Sequence, residues 1–362
     1  MNILLTCAGR RTAVLSAFRA ALQGEGRVFA CDTSAEAPAL QQADRAFLVP
    51  PVDDEDYADA LLEICERQGV RVVVPALEPE LPLLAQHRAR FIAAGTLPLI
   101  SSPEVIARCL DKLEAAWFLQ SCGLQAPRSF VSVGAVREAL ARREIFFPLV
   151  VKPRWGVSSI GLQVVEDDEE LELAFRLLRK QLPRTLIARA SAADWEHCIL
   201  VQERLPGEEY GLDVVNDLQG RHVCTFARRK LRMRGGQTDR AVSVCDQRFD
   251  AVGRILGQRL GHVGLLDCDA FATGDGVCVI DLNPRIGGGY PFSHAAGANF
   301  PAALLAWVKG RKPDPRWLRV EPGITVARSE QLLVRLKPTR QRHDESRDSS
   351  EHRAAPAPPG PA

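Results

Sequence analysis

Two short segments place oxygen-bearing side chains at every second position. Asp267 and Asp269 are separated by one residue, and so are Asp281 and Asn283. Because alternate residues of a β-strand point to the same face, each pair is predicted to share one face of its strand. Oxygen ligands from two adjacent strands suit Mg²⁺, which takes one or two carboxylates together with phosphate oxygens and water. A solvated acidic face is the alternative, but the flanking residues are apolar, and buried acids are costly without a cation.

Positive side chains that could hold phosphate lie in two other places. An apolar segment ends at Lys152 and leads into a turn that contains Gly156, Ser158 and Ser159. Lysine supplies a point charge for phosphate oxygens, and small residues let backbone amides approach an anion. A hairpin turn with a surface lysine is the alternative, and the segment lacks the spacing of a Walker A loop. Arg285, just after the second acidic segment, is well placed to clamp a transferring phosphoryl group or an acyl phosphate.

The segment 201–214 reads as a strand, a Pro-Gly turn and a second strand, with carboxylates on both sides of the turn. These carboxylates could hold ribose hydroxyls while the backbone at the strand end reads the edge of an adenine. An acidic hairpin on the surface is the alternative for this segment.

The segment 228–237 is densely basic and ends in a glycine pair followed by Gln237. We predict a loop that grips an anionic substrate or a triphosphate, that moves at its glycines and that becomes ordered on binding. A nucleic-acid patch is disfavoured because no aromatic residue interleaves the basic ones. An exposed basic loop without function is the remaining alternative.

The first hundred residues alternate short apolar runs with segments whose apolar residues recur at helical spacing. This alternation predicts a parallel, doubly wound sheet, which binds ligands at the carboxyl ends of its strands. The predicted strands cover 2–6, 28–31, 46–49, 70–75 and 97–100, and the predicted helices cover 11–22, 54–68 and 79–94.

The loop after the first predicted strand could face an anion at the start of the first helix. Its single glycine excludes the dinucleotide-binding fingerprint. Asp32 ends the second strand, where a dehydrogenase places its ribose-binding acid, so a nicotinamide cofactor stays an alternative. Cys7 in this loop is predicted to be a small apolar filler rather than a nucleophile. The Arg10-Arg11 pair and the segment 78–80 are predicted to face the substrate side.

Antiparallel hairpins and helices are predicted after residue 101. Asp167 or Asp168 is predicted to cap a helix, and Gly123 to end another. The predicted helices cover 111–122, 169–182 and 254–260, and the predicted strands cover 147–152, 161–165, 199–202, 210–215, 222–226, 264–272 and 276–282.

The composition bounds the class of protein. The formal net charge of +1 gives no field that would attract nucleic acid or an anionic membrane to the whole protein. No apolar run approaches the roughly 20 residues of a membrane span, and the N-terminus does not read as a secretory signal. The ten cysteines form no C-x-x-C pair, which favours buried thiols in a reducing cytoplasm. The tail after residue 337 is charged and then Pro/Ala-rich, so it is predicted to be disordered.

Taken in order, these segments resemble the ATP-grasp superfamily, with the closest likeness to proteins similar to the carbamoyl-phosphate synthase large subunit and the pyrrolysine-biosynthesis ligase. The most specific matches are Lys152-Pro-x-x-Gly and Asp281-x-Asn-Pro-Arg-x-Gly-Gly-Gly, and the likeness covers residues 1 to about 330. The resemblance implies an α/β and α+β fold. It predicts a Rossmann-like parallel-sheet domain at 1–105, an ATP-grasp domain at 106–335 with lobes at 106–200 and 201–335, and a disordered tail at 338–362.

The resemblance also implies the site residues. Those implied to bind ATP are Lys112, Lys152, Gly156, Ser158, Ser159, Gln202, Glu203, Leu205 and Glu209. Those implied to hold Mg²⁺ or Mn²⁺ are Asp269, Asp281 and Asn283, and those implied to act on the substrates are Arg285, Lys230 and Arg234. Two positions depart from the family pattern, because Ser158 stands where another glycine is usual and Asp269 where Glu or Gln is usual.

The implied activity is activation of a carboxylate by ATP as an acyl phosphate, followed by attack of an amine and release of ADP and phosphate. A carboxylate or small-molecule kinase without ligation and a non-catalytic nucleotide-binding protein are the alternatives. The implied partners are a small-molecule carboxylate and an amine, without nucleic acid or membrane. A homodimer is the default expectation for oligomeric state.

Overall fold

A five-stranded parallel sheet occupies the first hundred residues of the computed structural model, which describes residues 1–157, 159–274, 276–330 and 332. The strands are β1 (Asn2–Thr6), β2 (Val28–Asp32), β3 (Arg45–Leu48), β4 (Val70–Pro75) and β5 (Leu97–Pro98). Their order is β3-β2-β1-β4-β5, and all neighbouring pairs are parallel. The apolar residues of the central strands are buried, as expected for a sheet with helices on both faces.

Five helices connect these strands: α1 (Thr12–Leu22), α2 (Pro38–Gln42), α3 (Tyr57–Gln68), α4 (Leu81–Gln86) and α5 (Arg88–Ala93). A 3₁₀ turn at Glu78–Glu80 precedes α4. The buried Glu80 fixes this turn, because its carboxylate accepts bonds from the Ala76 and Leu77 amides at 3.0 Å each and from the Tyr57 hydroxyl at 2.9 Å. The turn therefore has one defined geometry at the carboxyl end of β4.

A four-stranded antiparallel sheet follows, in the order β6-β9-β7-β8. Its strands are β6 (Ser129–Phe130), β7 (Leu149–Pro153), β8 (Gln163–Val165) and β9 (Ile199–Glu203). The helices of this region are α6 (Pro103–Leu110), α7 (Lys112–Ser121), α8 (Val133–Ala141), α9 (Asp168–Gln181) and α10 (Ala188–Ala192). β7 pairs with both β8 and β9, so Lys152 lies near the end of a central strand.

The third sheet is antiparallel and six-stranded, in the order β14-β13-β10-β11-β12-β15. Its strands are β10 (Glu208–Asn216), β11 (His222–Arg234), β12 (Gln237–Val244), β13 (Gly264–Thr273), β14 (Gly276–Asn283) and β15 (Thr325–Ala327). The remaining helices are α11 (Gln247–Leu260), α12 (Tyr290–Ala295) and α13 (Phe300–Val308). An apolar cluster between β10, β13 and α11 buries one face of this sheet, which leaves its polar face for the site.

The parallel first sheet and the antiparallel sheets after it confirm the predicted fold class. Three sequence predictions are wrong in extent. The predicted helix 79–94 is interrupted, because α4 ends at Gln86 and α5 begins at Arg88. The predicted helix 254–260 begins earlier, at Gln247, where Asp246 caps it.

The predicted basic loop at 228–237 is the third error. Strand β11 continues to Arg234 and pairs with β12 through a turn at Gly235 and Gly236. The density of charge suggested an irregular segment, but inter-strand hydrogen bonds satisfy its backbone. The segment is therefore a β-hairpin, and the predicted ordering on binding stays a prediction.

Several predictions lie outside what the structure describes or stay predictions. Ser158 and the tail at 338–362 lie outside the described residues. The domain boundaries at 105 and 335 stay predictions. Among the described helices, none has the length and apolar content required to cross a bilayer.

Gly253 in α11 tests how tightly this helix packs on the sheet that carries the site. A Cβ at Gly253 would lie 2.0 Å from the Thr225 hydroxyl of β11. We expect Gly253→Ala to destabilise the protein by about 1–3 kcal/mol, because the close approach forces a shift of backbone or side chain. Gly134→Ala in α8 is the control, since no atom lies within 4 Å of its new methyl group. Urea denaturation measures both, and equal midpoints for the two variants would contradict the packing.

Candidate active site

A cavity of about 490 Å³ lies between the two antiparallel sheets and the first sheet. This volume falls in the range of sites for nucleotides and other cofactors. Its walls combine charged side chains from all three sheets with the backbone that follows β9. Charged and polar residues that line the cavity include Lys112, Lys152, Gln202, Glu203, Glu209, Lys230, Asp269, Asp281, Asn283 and Arg285.

Lys112 and Lys152 form one positive wall of the cavity. Lys112 is the first residue of α7, and its ammonium forms an ion pair with Asp281. Burial, with the neighbouring Lys112 charge second, lowers the pKa of Lys152 to about 8. Among the described residues, no carboxylate lies within 4 Å of the Lys152 ammonium. Lys152 is therefore a buried cation with room for an anionic partner.

Arg154 joins the two elements that carry these lysines. Its guanidinium donates to both carboxylate oxygens of Asp111 at 2.8 and 2.7 Å, and to Asp194 at 3.0 Å. Asp111 in turn caps α7 by accepting from the Leu113 amide at 3.0 Å. The Arg154 carbonyl also accepts from the Lys112 amide at 3.1 Å. The start of α7 is thus bonded to the end of β7, which fixes Lys112 relative to Lys152.

The acidic residues of β13 and β14 face Lys112 and Lys230. The register pairs Asp269 with Asp281 and Asp267 with Asn283, which confirms the predicted common face. Lys230 donates to Asp269 and to Glu209 at 2.6 Å each. Burial alone would raise the pKa of Asp281, but the opposing charges of Lys112 and Lys152 lower it. Asp281 is therefore an anion in this site.

Three oxygen-bearing side chains of β13 and β14 have the chemistry that Mg²⁺ prefers. Asp269 and Asp281 keep about a quarter of their side-chain surface open to the cavity, at 28% and 23%. The described residues contain no group of three or more His, Cys, Asp or Glu side chains that could hold a metal by themselves. Two carboxylates and the Asn283 amide fit a Mg²⁺ that takes its other ligands from phosphate and water. Such a cation would enter together with a nucleotide.

The segment after β9 lines the opposite end of the cavity. The buried Gln202 side chain donates to the Ser129 hydroxyl at 2.7 Å, and the Glu203 carboxylate accepts from the Arg128 amide at 2.8 Å. Leu205 and Gly207 line the cavity as well. Glu209 lies at the start of β10, where Lys230 holds it. The strand-end backbone and two carboxylates that were expected around adenine and ribose therefore surround one end of the cavity.

Arg285 is held in a buried chain of ion pairs. Its guanidinium pairs with Glu78 and, at 2.9 Å, with Asp267. Asp267 also pairs with Arg228 at 3.1 Å, and Arg228 with Asp213 at 2.6 Å. Arg228 is only 2% exposed and Asp213 is fully buried. Glu78 belongs to the first sheet's 3₁₀ turn, so the chain of ion pairs crosses from the first sheet to the third.

Three consecutive glycines are required beside this chain of ion pairs. A Cβ at Gly287 would lie 2.3 Å from the Asp267 carboxyl carbon, and one at Gly289 would lie 2.0 Å from Arg228. A Cβ at Gly288 would lie 2.5 Å from the Arg11 guanidinium. The glycine run thus lets three charged side chains approach the backbone closely. This is the physical reason for the triplet that follows Arg285 in the sequence.

The structure brings most of the predicted site residues together around the cavity. Those that line it are Lys112, Lys152, Gly156, Ser159, Gln202, Glu203, Leu205, Glu209, Lys230, Asp269, Asp281, Asn283 and Arg285. Arg234 does not line it, because it lies at the tip of the β11–β12 hairpin and pairs with Glu330 at 2.7 Å. Ser158 lies outside the described residues. The individual roles of these residues stay predictions.

Sequence reasoning missed three residues that support the site, Asp213, Arg154 and Arg228. It also missed Arg328, which lines the cavity. Arg228 was hidden in the basic segment, and its burial depends on Gly211 and Gly289, which lie elsewhere in the sequence. Arg154 could have been predicted, because it lies between Lys152 and Gly156, in the segment whose sequence indicates a phosphate site.

Two residues at the carboxyl ends of the first sheet's strands, Asp32 and Cys7, interact with nearby residues. Asp32 accepts from the Gly9 amide at 2.7 Å, so it shapes the loop after β1. Burial raises the pKa of the Cys7 thiol well above its usual range, with Glu80 adding to the effect. A nucleophilic thiolate is therefore disfavoured at Cys7, as predicted. All ten cysteines are free thiols.

Two family models match separate parts of the chain. Residues 3–100 match the family described as PylC-like, N-terminal domain. Residues 196–332 match the family described as ATP-grasp in the biosynthetic pathway with Ter operon. The two matches cover the first sheet and the third sheet, which together hold Arg285 and its partners.

Similar proteins include biotin carboxylase of Halalkalibacterium halodurans, 36% identical over 38% of this chain and 31% of that protein. Formate-dependent phosphoribosylglycinamide formyltransferase of a Synechococcus species is 27% identical over 72% of this chain and 63% of that protein. The chain thus spans less than two thirds of either relative. A solved biotin carboxylase–β,γ-ATP complex from Campylobacter jejuni aligns with a TM-score of 0.68 and 16% identity, over 88% of this chain and 73% of that one. At this identity the alignment shows a shared fold.

Replacement of Arg154 tests whether it positions Lys112. We expect Arg154→Ala to weaken MgATP binding about ten-fold, a loss of roughly 1.4 kcal/mol, because the start of α7 is no longer bonded to β7. Isothermal titration with MgATP measures the effect, and circular dichroism checks the fold. Arg137→Ala is the matched control, because Arg137 forms exposed ion pairs with Asp168 and Glu172. Unchanged affinity in Arg154→Ala would show that Lys112 needs no such support.

The pKa of Lys152 predicts a pH dependence of nucleotide binding. Its value of about 8 means that the free protein loses this charge as the pH rises through 8. A triphosphate favours the charged ammonium, so binding above pH 8 should take up protons and weaken with rising pH. Titrations between pH 7 and 9.5 in buffers of different ionisation enthalpy measure the uptake. Lys152→Arg should remove the uptake, and an unchanged uptake in this variant would exclude Lys152 as its source.

Proposed function

We propose that this chain, whose residues 196–332 match a family model described as ATP-grasp, is an ADP-forming ligase that activates a carboxylate with ATP and joins it to an amine. The observation that carries the proposal is the convergence of Lys152 and Asp281 on one cavity, although 128 residues separate them (281 − 152 − 1). A cationic wall and an oxygen-rich wall meet at the Lys112–Asp281 ion pair and line this space together. Such a pair of walls suits a nucleoside triphosphate with its divalent cation.

The proposed nucleotide lies along the cavity with its adenine at the segment after β9. Glu203 and Glu209 flank the ribose position, and the phosphates extend toward Lys112 and Lys152. Gly156 and Ser159 belong to the turn after β7 that lines the same end. Asp269, Asp281 and Asn283 would hold Mg²⁺ or Mn²⁺ there, and such an ion would supply charge neutralisation for the transferring phosphoryl group.

The proposed reaction begins with transfer of the terminal phosphoryl group to an acid. A carboxylate is a poor acyl donor because its leaving group would be oxide, whereas an acyl phosphate loses phosphate. The protein contributes mainly position and charge in such a transfer. Lys152 and Lys112 would hold the phosphate oxygens, and Lys230 would face the reacting end once Asp269 has another cation to bind. An amine then attacks the acyl phosphate and releases phosphate.

In this proposal Arg285 acts as a hydrogen-bond donor in a fixed position rather than as an unpaired positive charge. Its two carboxylate partners, Glu78 and Asp267, fix the plane of the guanidinium group and balance its charge. A guanidinium held this way costs little reorganisation when negative charge develops beside it. The amine is proposed to be amino-acid-like. A cytoplasmic location and a homodimer belong to the same proposal.

Product analysis tests the reaction. With a matching acid and amine, we expect ADP and phosphate in equal amounts, and no AMP or pyrophosphate. A screen of amino acids offered in pairs, read by phosphate release and mass spectrometry of the condensed product, finds the substrates. ATP hydrolysis that needs an acid but ignores the amine would identify a kinase instead. Release of pyrophosphate would refute the acyl-phosphate route while leaving the fold assignment intact.

Two variants test the placement of the nucleotide. We expect Lys152→Ala and Asp281→Ala each to lower turnover at least a hundred-fold, because each removes charge that the transferring phosphoryl group needs. Thermal unfolding should show that both variants still fold cooperatively. Lys180→Ala, at an exposed position of α9, is the control and should keep full activity. Retained turnover in either cavity variant would mean that the site has been placed wrongly.

A further inference from the structure

Two arginines converge on Gly288 at one edge of the cavity. Arg11 follows the loop after β1, Arg328 follows β15, and both line the cavity. A Cβ at Gly288 would lie 2.5 Å from Nη1 of Arg11 and 4.0 Å from Nη2 of Arg328. The two guanidinium groups therefore approach the same small volume from the first sheet and from the third.

Backbone carbonyls hold both guanidinium groups in place. Arg11 donates to the Ala76 carbonyl at 3.2 Å. Arg328 donates to the carbonyls of Thr238 and Gly288 at 2.6 Å each, and it lies over the Phe292 ring at 5.5 Å. A guanidinium carries five N–H donors. Each arginine is thus fixed in direction and still has donors to spare for a ligand.

The charge of these two arginines is only partly matched by the protein. Among the described residues, no carboxylate lies within 4 Å of either one. The nearby carboxylates already have partners, since Glu78 and Asp267 pair with Arg285 and Asp239 approaches Arg232 at 3.7 Å. Counted over this edge, four guanidinium groups face three carboxylates: Arg11, Arg228, Arg285 and Arg328 against Glu78, Asp213 and Asp267.

The pKa values agree with an excess of positive charge. Burial, followed by the repulsion of Arg285, lowers the pKa of Arg11 to about 10. The pKa of Arg328 is lowered as well, by partial desolvation and by Arg10. Arg11 is half-buried and Arg328 is exposed, so the cost of an unpaired charge falls mainly on Arg11, and a bound anion would offset it.

We propose that Arg11 and Arg328 form a subsite for an anionic group, carboxylate or phosphate, that the acid substrate carries in addition to the carboxylate that is activated. The inference rests on the proposed ligase function, because it describes that ligase's acid substrate. The subsite would hold this group at the edge opposite the adenine segment. The acid is then at least a dianion before activation.

The subsite does not suit the carboxylate that reacts. Two guanidinium groups that donate to one carboxylate withdraw electron density from its oxygens. Attack on a phosphoryl group needs a nucleophilic oxygen, so a carboxylate held in this way reacts more slowly. A group that is only bound, and never phosphorylated, has no such requirement. Arg328 is also the more exposed of the two, which suits a group that enters from solvent.

Three ligands of matched carbon chain test the proposal: butyrate, glutarate and 4-phosphonobutyrate. They differ only in carrying nothing, a carboxylate or a phosphonate on the terminal carbon. Ligand-observed NMR titrations use the full chain with Mg²⁺ and a non-hydrolysable ATP analogue. We expect at least one dianion to bind ten-fold or more tightly than butyrate, and the identity of that dianion tells carboxylate from phosphate.

Three variants assign the preference to the two arginines. Arg328→Met and Arg11→Met should each abolish the preference for a dianion while the ATP analogue still binds as in the unchanged protein. Because Arg328 is exposed and Arg11 is half-buried, Arg328→Met disturbs the fold less and carries the decision, with a thermal melt as the check of folding. Arg316→Met is the control, because Arg316 is 87% exposed and pairs with Asp314 away from the cavity. A dianion preference that survives in Arg328→Met, or no preference in the unchanged protein, would overturn the subsite.

The ligase assay separates this inference from the proposed function. Turnover with a monocarboxylic acid, together with no preference for a dianion, would support the ligase function and refute the subsite. Dianion binding that depends on Arg328, without ADP release from any pair of acid and amine, would support the subsite and refute the ligase function.

Discussion

A buried chain of ion pairs from Glu78 through Arg285, Asp267 and Arg228 to Asp213 is the interaction on which the site depends. Moving a charged group out of water costs several kcal/mol, and partners at 2.6 to 3.1 Å offset this cost only while every member is present. The chain of ion pairs therefore accepts one geometry between the first and third sheets. Within that geometry the Arg285 guanidinium faces the cavity.

The cavity is assembled from elements that are distant in sequence and short in themselves. Lys112 starts a helix, Lys152 ends a strand, and the acids lie on one face of a hairpin. Two of the supporting contacts join different elements, since Lys112 of α7 pairs with Asp281 of β14 and Arg154 bonds to Asp111, the cap of α7. Because these groups are already ordered, little binding free energy is lost in ordering them when a ligand binds.

Local sequence patterns predicted the parallel first sheet, the β13–β14 hairpin and the shared face of its acids, because these features repeat within a few residues. The burial of Arg228 could not be predicted this way. It needs glycines at 211 and 289, on two other elements, and charges in a basic run are normally exposed. The break of the helix at His87 was missed for a similar reason, since the apolar spacing continues across it.

The position of Glu78 has a consequence for recombining this protein with its relatives. Glu78 lies in the segment that precedes α4, whereas Arg285 and Asp267 belong to the opposite end of the chain. A chimera that exchanges the first hundred residues for those of another protein inherits a foreign side chain at this position. If that side chain is neutral, Arg285 keeps only Asp267, which it shares with Arg228, and its ion pair with the first sheet is lost. Transplanted segments therefore have to bring a carboxylate to this position, and the crossover point matters less than this one pairing.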